Sequence, residues 1–236
     1  MNLGFGVANA IATVAIEEGI VNDLVLTVEQ GLIGGAPATG KDAGASVNFD
    51  AMVDQPYQFD FYDGGGLDIA FLSFAQVDSA GNVNVSRFGG SIAGPGGFIN
   101  IAQGTPRVVF LGTLTAKGLQ VLSDGLGGVR IEREGEIKKW LSKVEQITFS
   151  GNHALAQRQH ISFITDRAVF ELTTDGLVCT ELARGVEFER DVQSQIDFPL
   201  LIADDLKEID PRVFREEAME LAERFRTGGI RKRRAN

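Results

Sequence analysis

An α/β fold, with an open and mostly parallel sheet, flanking helices and an antiparallel, strand-rich carboxyl-terminal part, is what this sequence predicts. Three observations carry that expectation. A strand, a helix and a second strand follow one another within about thirty residues, the order of a βαβ unit whose strands lie parallel. Three runs rich in leucine, β-branched and aromatic residues, at 24–28, 67–74 and 107–111, have the texture of strands covered on both faces. From Gly118 to about Phe188 the texture changes to short strands alternating with turns, as in an antiparallel sheet packed beside the first part.

Taken in order, Leu3 to Phe5 is the opening strand, punctuated by Gly4 and Gly6. Val7 to Glu18 carries apolar residues at Val7, Ile11, Val14 and Ala15, a helical period that ends at Gly19, placed as a C′ glycine. Leu24 to Val28 is the next strand. A long loop follows from Glu29 through Gly31, Gly34, Gly35, Gly40 and Gly44, with few side chains to anchor it. The aromatic-rich stretch 55–63 runs into Gly64, Gly65 and Gly66; Tyr57, Phe59 and Phe61 read as core or pocket wall, and Asp60, Asp63 and Asp68 as turn and cap residues. Leu67 to Phe74 is a strand, Asp78 to Asn82 a turn, and Val83 to Val85 extended. A second glycine-rich segment, 89–97, precedes Phe98 and the strand Arg107 to Leu111. Asp210 and Pro211 supply an N-cap and an N1 proline for a helix reaching about Arg226. The expected organisation is one domain over 1–226: an α/β part at 1–117, a strand-rich part at 118–200 and a helix at 210–226. Residues 227–236 form a basic tail, read as a solvated terminus.

Composition narrows the function. The chain has 236 residues, 22 basic and 32 acidic, for a formal charge of −10. Its pI near 4.7 argues against nucleic-acid binding, which needs Lys and Arg to neutralise phosphate. One cysteine, Cys179, favours a reducing compartment, and no segment reads as a signal peptide or membrane span; a cytoplasmic protein is expected. Two histidines, His153 and His160, leave little material for a zinc site or a histidine proton relay, so no metal is expected. Glycine is abundant, 29 residues. Carboxylates and glycine-rich backbone are therefore the expected carriers of any chemistry.

Glu29 stands out first. It follows an apolar strand directly and opens a glycine-rich loop, which puts it at the carboxyl edge of the sheet where ligands of open α/β folds bind. A surface glutamate in a turn is the plain alternative, but Gly31, Gly34 and Gly35 permit a close backbone approach that an ordinary loop does not need. The second candidate is Gly94-Pro95-Gly96-Gly97-Phe98, whose successive N–H groups can converge on one oxygen as an oxyanion hole or anion nest. Gly4-x-Gly6 lacks the third glycine of a dinucleotide fingerprint, and that reading is rejected.

At these residues the chain resembles the family I coenzyme A transferases, in particular the acetate and propionate branch. The likeness lies in NLGFG at 2–6, LTVEQGLIGG at 26–35, QFDFYDGGGLD at 58–68, GNVNVSRFGG at 81–90, GPGGFINI at 94–101 and VEQITFSG at 144–151. It runs in order to about Asp210 and matches the carboxyl-terminal, or β, half of these enzymes. The resemblance implies that Glu29 is the catalytic glutamate and that Gly94, Gly96, Gly97 and Phe98 form the family's GxGG loop, serving CoA and the oxyanion. It adds Gln30, Gly31, Gly34, Gly35 and Gly65 as pocket residues. Gln30 replaces a smaller residue of many relatives, a change expected to narrow the acyl pocket. The family's helix before the NLGxG strand and its amino-terminal α half are not in this sequence.

What the resemblance implies about chemistry is ping-pong transfer of CoA between a short-chain acyl-CoA and a carboxylic acid through a glutamyl-CoA thioester. No general base is required, since an ordinary glutamate, with a pKa of about 4.3, is already ionised at neutral pH. CoA is a substrate, no cofactor is implied, and the expected partner is an α half within a higher hetero-oligomer. The competing class is a non-catalytic ligand-binding or assembly domain of the same fold, in which Glu29 would have no work to do.

Overall fold

The computed structural model describes residues 1–227. Its frame is a ten-stranded sheet made of β1 (Asn2–Leu3), β2 (Thr27–Val28), β3 (Leu32–Ile33), β4 (Ala51–Met52), β5 (Ala70–Ser73), β6 (Arg107–Leu111), β7 (His160–Ile164), β8 (Ala168–Thr173), β9 (Gly176–Leu182) and β10 (Leu201–Glu208). The order across the sheet is β10-β9-β8-β7-β6-β5-β1-β2-β3-β4. The centre, β2-β1-β5-β6-β7, is parallel throughout, so the βαβ expectation for the opening unit holds. Antiparallel pairs flank it, β2 with β3 and β3 with β4 on one side, β7 with β8 and β8 with β9 on the other. β10 closes that second side in parallel with β9.

Two apolar layers hold the sheet. On one face α1 (Ala10–Glu17) packs through Ala12 over Leu3, Leu26 and Phe71. The helix buries its alanines, Ala12 and Ala15, while Val7 and Val14 of the expected stripe are exposed. Of the expected stripe, Ala15 is buried and Ile11 packs partly buried on the same cluster, while Ala12, outside the stripe, joins them; small side chains let the helix axis come close to the strands. Gly19, at φ +68°, ends the helix as expected, with Ile20 N–H donating back to Ala15 O at 2.9 Å. The other face carries the main core: Tyr62 of α2 (Gln55–Asp63), Phe98, Ile101 and Ala102 of α3 (Phe98–Gln103) and Ala154 of α4 (Gly151–Ala156) meet Leu72, Val108, Phe110 and Phe163. Phe110 stacks between Phe98 and Phe163, with ring centroids 5.8 and 5.2 Å away.

Several expectations change. The strand-rich part is divided: Gln120–Ser123 and Val129–Arg133 form an antiparallel sheet of their own, as expected, whereas β7 pairs with β6 in parallel and β7-β8-β9 extend the main sheet, a pairing of segments more than fifty residues apart in sequence. The expected loop at 31–45 is folded. It contains β3 and a hairpin of Ala36–Pro37 with Ser46–Val47. The run 24–28 is strand only at its last two residues, and Val25 is exposed. Gln55–Asp63 is helical; its Tyr57 and Phe61 are exposed, and only Phe59 and Tyr62 reach the core.

The helix expected over 210–226 is broken. Asp210 does cap as predicted, accepting from Arg212 N–H at 3.1 Å, but the turn Pro211–Phe214 is a single 3-10 turn. The chain restarts as α5 (Leu221–Thr227), whose entry is held by the Glu18 carboxylate accepting from Met219 N–H (2.5 Å) and Leu221 N–H (2.9 Å). The basic run Arg231–Arg234 lies outside the described residues.

Candidate active site

Glu29 sits at the tip of a tight hairpin. Val28 pairs with Leu32, so Glu29, Gln30 and Gly31 are the whole connection between β2 and β3. Gly31 N–H donates to Val28 O at 3.0 Å, and Gly31 takes φ +108°, the glycine that a three-residue hairpin calls for. Val53 N–H donates to Gly31 O at 2.9 Å and clamps the tip from outside. A β-carbon at Gly31 would run into Val53 O.

Below the hairpin lies a buried polar network that sequence reading missed. Asn2 Nδ2 donates to Thr27 O (3.2 Å) and to the Tyr62 hydroxyl (3.1 Å). Gln58 Nε2 donates to the same hydroxyl at 2.8 Å, and Tyr62 O–H donates to Thr27 Oγ1 at 2.9 Å. This ties β1, β2 and α2 together under the nucleophile candidate. The signal in the sequence was Asn2 itself, a polar residue at the mouth of an otherwise apolar strand.

The glycine loop comes from the far side of β5. Ala93 and Gly94 N–H both donate to Ser86 O, at 2.9 and 3.1 Å, and Phe98 N–H donates to Pro95 O at 3.1 Å. The N–H groups of Gly96 and Gly97 have no hydrogen-bond acceptor among the described residues. Gly97 is where the two candidates meet. A β-carbon built on it would overlap Glu29 Oε2, and would stand 2.8 Å from Phe59 Cζ. The Glu29 carboxylate thus lies on the bare Cα of Gly97.

Around this contact is a cavity of about 350 Å3 lined by Glu29, Gly94, Gly96, Gly97 and Phe98, with Leu72, Ser73, Val85 and Ile101 behind them. Burial pushes the Glu29 carboxyl above the usual glutamate range. No hydrogen bond or ion pair to it is present among the described residues. The structure therefore brings Glu29 together with the four loop residues. Gly31, Gly34, Gly35 and Gly65 do not line the cavity; they occupy positive-φ turn positions at +108°, +80°, +69° and +79°. Gln30 lines a smaller adjoining cavity with Asn2 and Gly44, so it does not narrow the larger one.

Cys179 is buried in β9, where burial pushes its thiol up to about 12. His153 is in α4 beside Gln103 and His160 opens β7. Among the described residues no group of three or more His, Cys, Asp and Glu is placed to hold a metal ion, and no helix is long and apolar enough to cross a membrane.

No protein-family model matches the chain. It is 46% identical over 219 residues to the acetate CoA-transferase YdiF of Escherichia coli K12, covering 92% of this chain and 41% of that protein. Over 222 residues it is 43% identical to the caffeate CoA-transferase of Acetobacterium woodii, covering 92% and 42%. One of the subunits of a probable succinyl-CoA:3-ketoacid coenzyme A transferase of Bacillus subtilis is 25% identical over 202 residues, 80% of this chain and 82% of that one. The crystal structure of YdiF from E. coli O157:H7, a thioester complex with CoA, superposes with a TM-score of 0.88 at 45% identity, over 93% of this chain and 41% of that chain. The chain thus spans about two-fifths of the length of the acetate and caffeate relatives.

A carboxylate raised on a hairpin against a glycine loop, at the carboxyl edge of this mixed sheet, combines with that kinship to define the class: the chain belongs to the family I CoA-transferases. Within the family it is similar to the acetate and caffeate CoA-transferases along nearly all of its length, and more distantly to a single subunit of the B. subtilis enzyme.

Proposed function

We propose that the chain is the glutamate-bearing half of an enzyme that exchanges CoA between a short-chain acyl-CoA and a free carboxylic acid, with Glu29 as nucleophile. One observation carries this reading: the half-buried Glu29 carboxylate, without a hydrogen-bond partner among the described residues, rests on Gly97 inside a cavity walled by the glycine loop. A Glu29 oxygen attacks the thioester carbonyl, the C–S bond breaks, and CoA leaves as thiolate from an acyl-glutamyl anhydride. The thiolate attacks the Glu29 carbonyl of that anhydride, expelling the first acid as its carboxylate and leaving Glu29 as a glutamyl-CoA thioester. An incoming carboxylate attacks the same carbon and runs the two steps backwards, which restores Glu29 and releases the new acyl-CoA.

The chain's own groups fit these demands. Burial strips water from the carboxylate and makes it more basic, hence more nucleophilic once ionised. Each tetrahedral intermediate carries an oxyanion, and the uncommitted N–H groups of Gly96 and Gly97 are the donors assigned to it. One such donor contributes about 3 kcal/mol to the transition state. The N–H groups of Gly94 and Phe98 are already engaged, so these two residues shape the loop instead.

The partner in this reading is an α half. Support comes from the two-fifths span of the longer relatives, from the B. subtilis relative being one subunit of its enzyme, and from exposed apolar side chains, notably Phe5, which lines the cavity, and Ile92, next in sequence to the lining residue Ala93. The 46% identity to an acetate CoA-transferase supports a short acyl group. The single buried thiol suits a reducing cytoplasm. The test is to incubate the assembled enzyme with acyl-CoA alone and to analyse its peptides by mass spectrometry. CoA should be found covalently on the peptide containing Glu29, and only after the α half is added. Measurable transfer with no adduct on that peptide would overturn the mechanism, and full activity of this chain as a lone monomer would overturn the partner.

A further inference from the structure

We propose that the small cavity adjoining Glu29 is a binding site for one water molecule, in which Asn2 and Gln30 act as positioning residues that hold the water against the nucleophile. The inference rests on Glu29 being that nucleophile. The cavity measures about 20 Å3 and is lined by Asn2, Asn9, Glu29, Gln30 and Gly44 among others. A water needs roughly 10–15 Å3 of such space and two to four polar partners, so one water fits and a second does not.

The walls ask for that water. Asn2 is 1% exposed, and its Oδ1 is buried without a hydrogen-bond partner among the described residues. Its orientation is not free. Nδ2 donates to Thr27 O, and turning the amide over would set two carbonyl oxygens against each other. Oδ1 is therefore a fixed, unanswered acceptor beside Glu29. Gln30 Oε1 is also buried and without a hydrogen-bond partner among the described residues. The Gln30 amide lies over Gly44, where an added β-carbon would stand 3.0 Å from Nε2. Gly44 belongs to the hairpin excursion after β3, so that excursion serves to seat the Gln30 amide. A water in this space donates one proton to Asn2 Oδ1 and one to the Glu29 carboxylate. Its lone pair accepts Gln30 Nε2–H after a half-turn of that amide, completing the three bonds usual for a buried water.

The consequence falls on Glu29. A hydrogen bond donated to the carboxylate favours its charged form and fixes the rotamer that rests on Gly97. Tyr62 of α2 is the ionisable side chain that senses Glu29 from below, and no Lys, Arg or His is ion-paired with Glu29 among the described residues. Removing the water is thus expected to show directly in the titration of Glu29.

The test uses the assembled enzyme and Gln30→Met, which keeps side-chain bulk and removes the amide; Gln30→Leu serves if the first does not assemble. A high-resolution crystal structure should show one water within hydrogen-bond distance of both Asn2 Oδ1 and Glu29, and its loss in the variant. The acid limb of kcat/KM should move to higher pH by about one unit, the equivalent of one hydrogen bond to a charged group. A merely structural role would lower activity at every pH and leave the limb in place. A dry cavity, or an unmoved acid limb in an assembled variant, overturns the proposal. If Glu29 takes no CoA but the water is present, the proposed function falls and the water site stands; if Glu29 takes CoA and the cavity is dry, the reverse holds.

Discussion

Replacing Gly97 by alanine separates the roles of space and backbone at this site. Gly97 has φ −78°, an ordinary value for any residue, so alanine brings no conformational strain. What it brings is one methyl group where the Glu29 carboxylate now rests. That β-carbon would overlap Glu29 Oε2 and stand 2.8 and 2.9 Å from Phe59 Cζ and Cε1, whereas ordinary contacts begin near 3.4 Å. Phe59 is packed against the core, so the carboxylate is the group that gives way, by about 1 Å or more. A misplacement of ~1 Å costs around a hundredfold in rate. The expected outcome is a fall of about 100-fold in kcat for CoA transfer, with KM for acyl-CoA changed far less and with adduct formation on Glu29 slowed in parallel. Gly96→Ala is the control. No atom lies within 4 Å of a β-carbon there, but φ is +53°, so it should cost about 1–2 kcal/mol of stability and spare the Glu29 position. Near-normal turnover in Gly97→Ala would show that the carboxylate does not react from its seat on Gly97.

Two further outcomes follow from charge and burial. Glu29→Gln should abolish transfer while melting at the same temperature as the parent or higher at neutral pH. Burial raises the folded-state pKa, so the native state pays a cost for the charge that grows as pH rises through that raised value; activity, which needs the carboxylate, is lost as pH falls through it. A clearly less stable Gln variant would contradict this. Lys139, 9% exposed over the Phe74 ring at 4.0 Å, has its ammonium pushed down by burial to about 8. The unfolded chain then binds the extra proton between about 8 and 10.5, and stability should rise with pH across that window. Lys139→Met should raise the melting temperature at pH 7, by at most about 3 kcal/mol in stability, with the gain shrinking towards the top of the window. A constant gap at all pH values would refute the assignment.

How far the sequence could be read depended on whether the deciding contact was local. The strand Arg107–Leu111 was legible to the residue, because a run of β-branched and aromatic side chains stands between Pro106 and Gly112. Glu29 was legible as the end of a strand, and the glycine loop as backbone with N–H groups to offer. α2 was not. Tyr57, Phe59 and Phe61 alternate like a strand, and the helix is decided by Asp54 and Pro56 at its entry and by Gln58 and Tyr62 meeting Asn2 and Thr27 at its far side. The break at 215–220 was hidden for the same reason. The carboxylate that receives the new helix is Glu18, about two hundred residues earlier. Asn2 and Gln30 escaped notice as a pair because nothing in their spacing shows that a hairpin folds one beside the other.

The hairpin between β2 and β3 also sets a rule for sequence change in this region. Three residues join paired positions 28 and 32. One residue more or fewer would shift β3 against β2, exchange its inner and outer faces, and turn Glu29 off Gly97. The neighbouring excursion, 36–47, closes on itself through its own pair of strands and hands the chain back at β4. Insertions and deletions should therefore be purged between 28 and 32 and accumulate at the excursion's outer end near Gly40, where an added side chain meets nothing within 4 Å. A length-variation library across 28–47, selected for growth on transferase activity, would record the active site as a gap in its tolerated lengths.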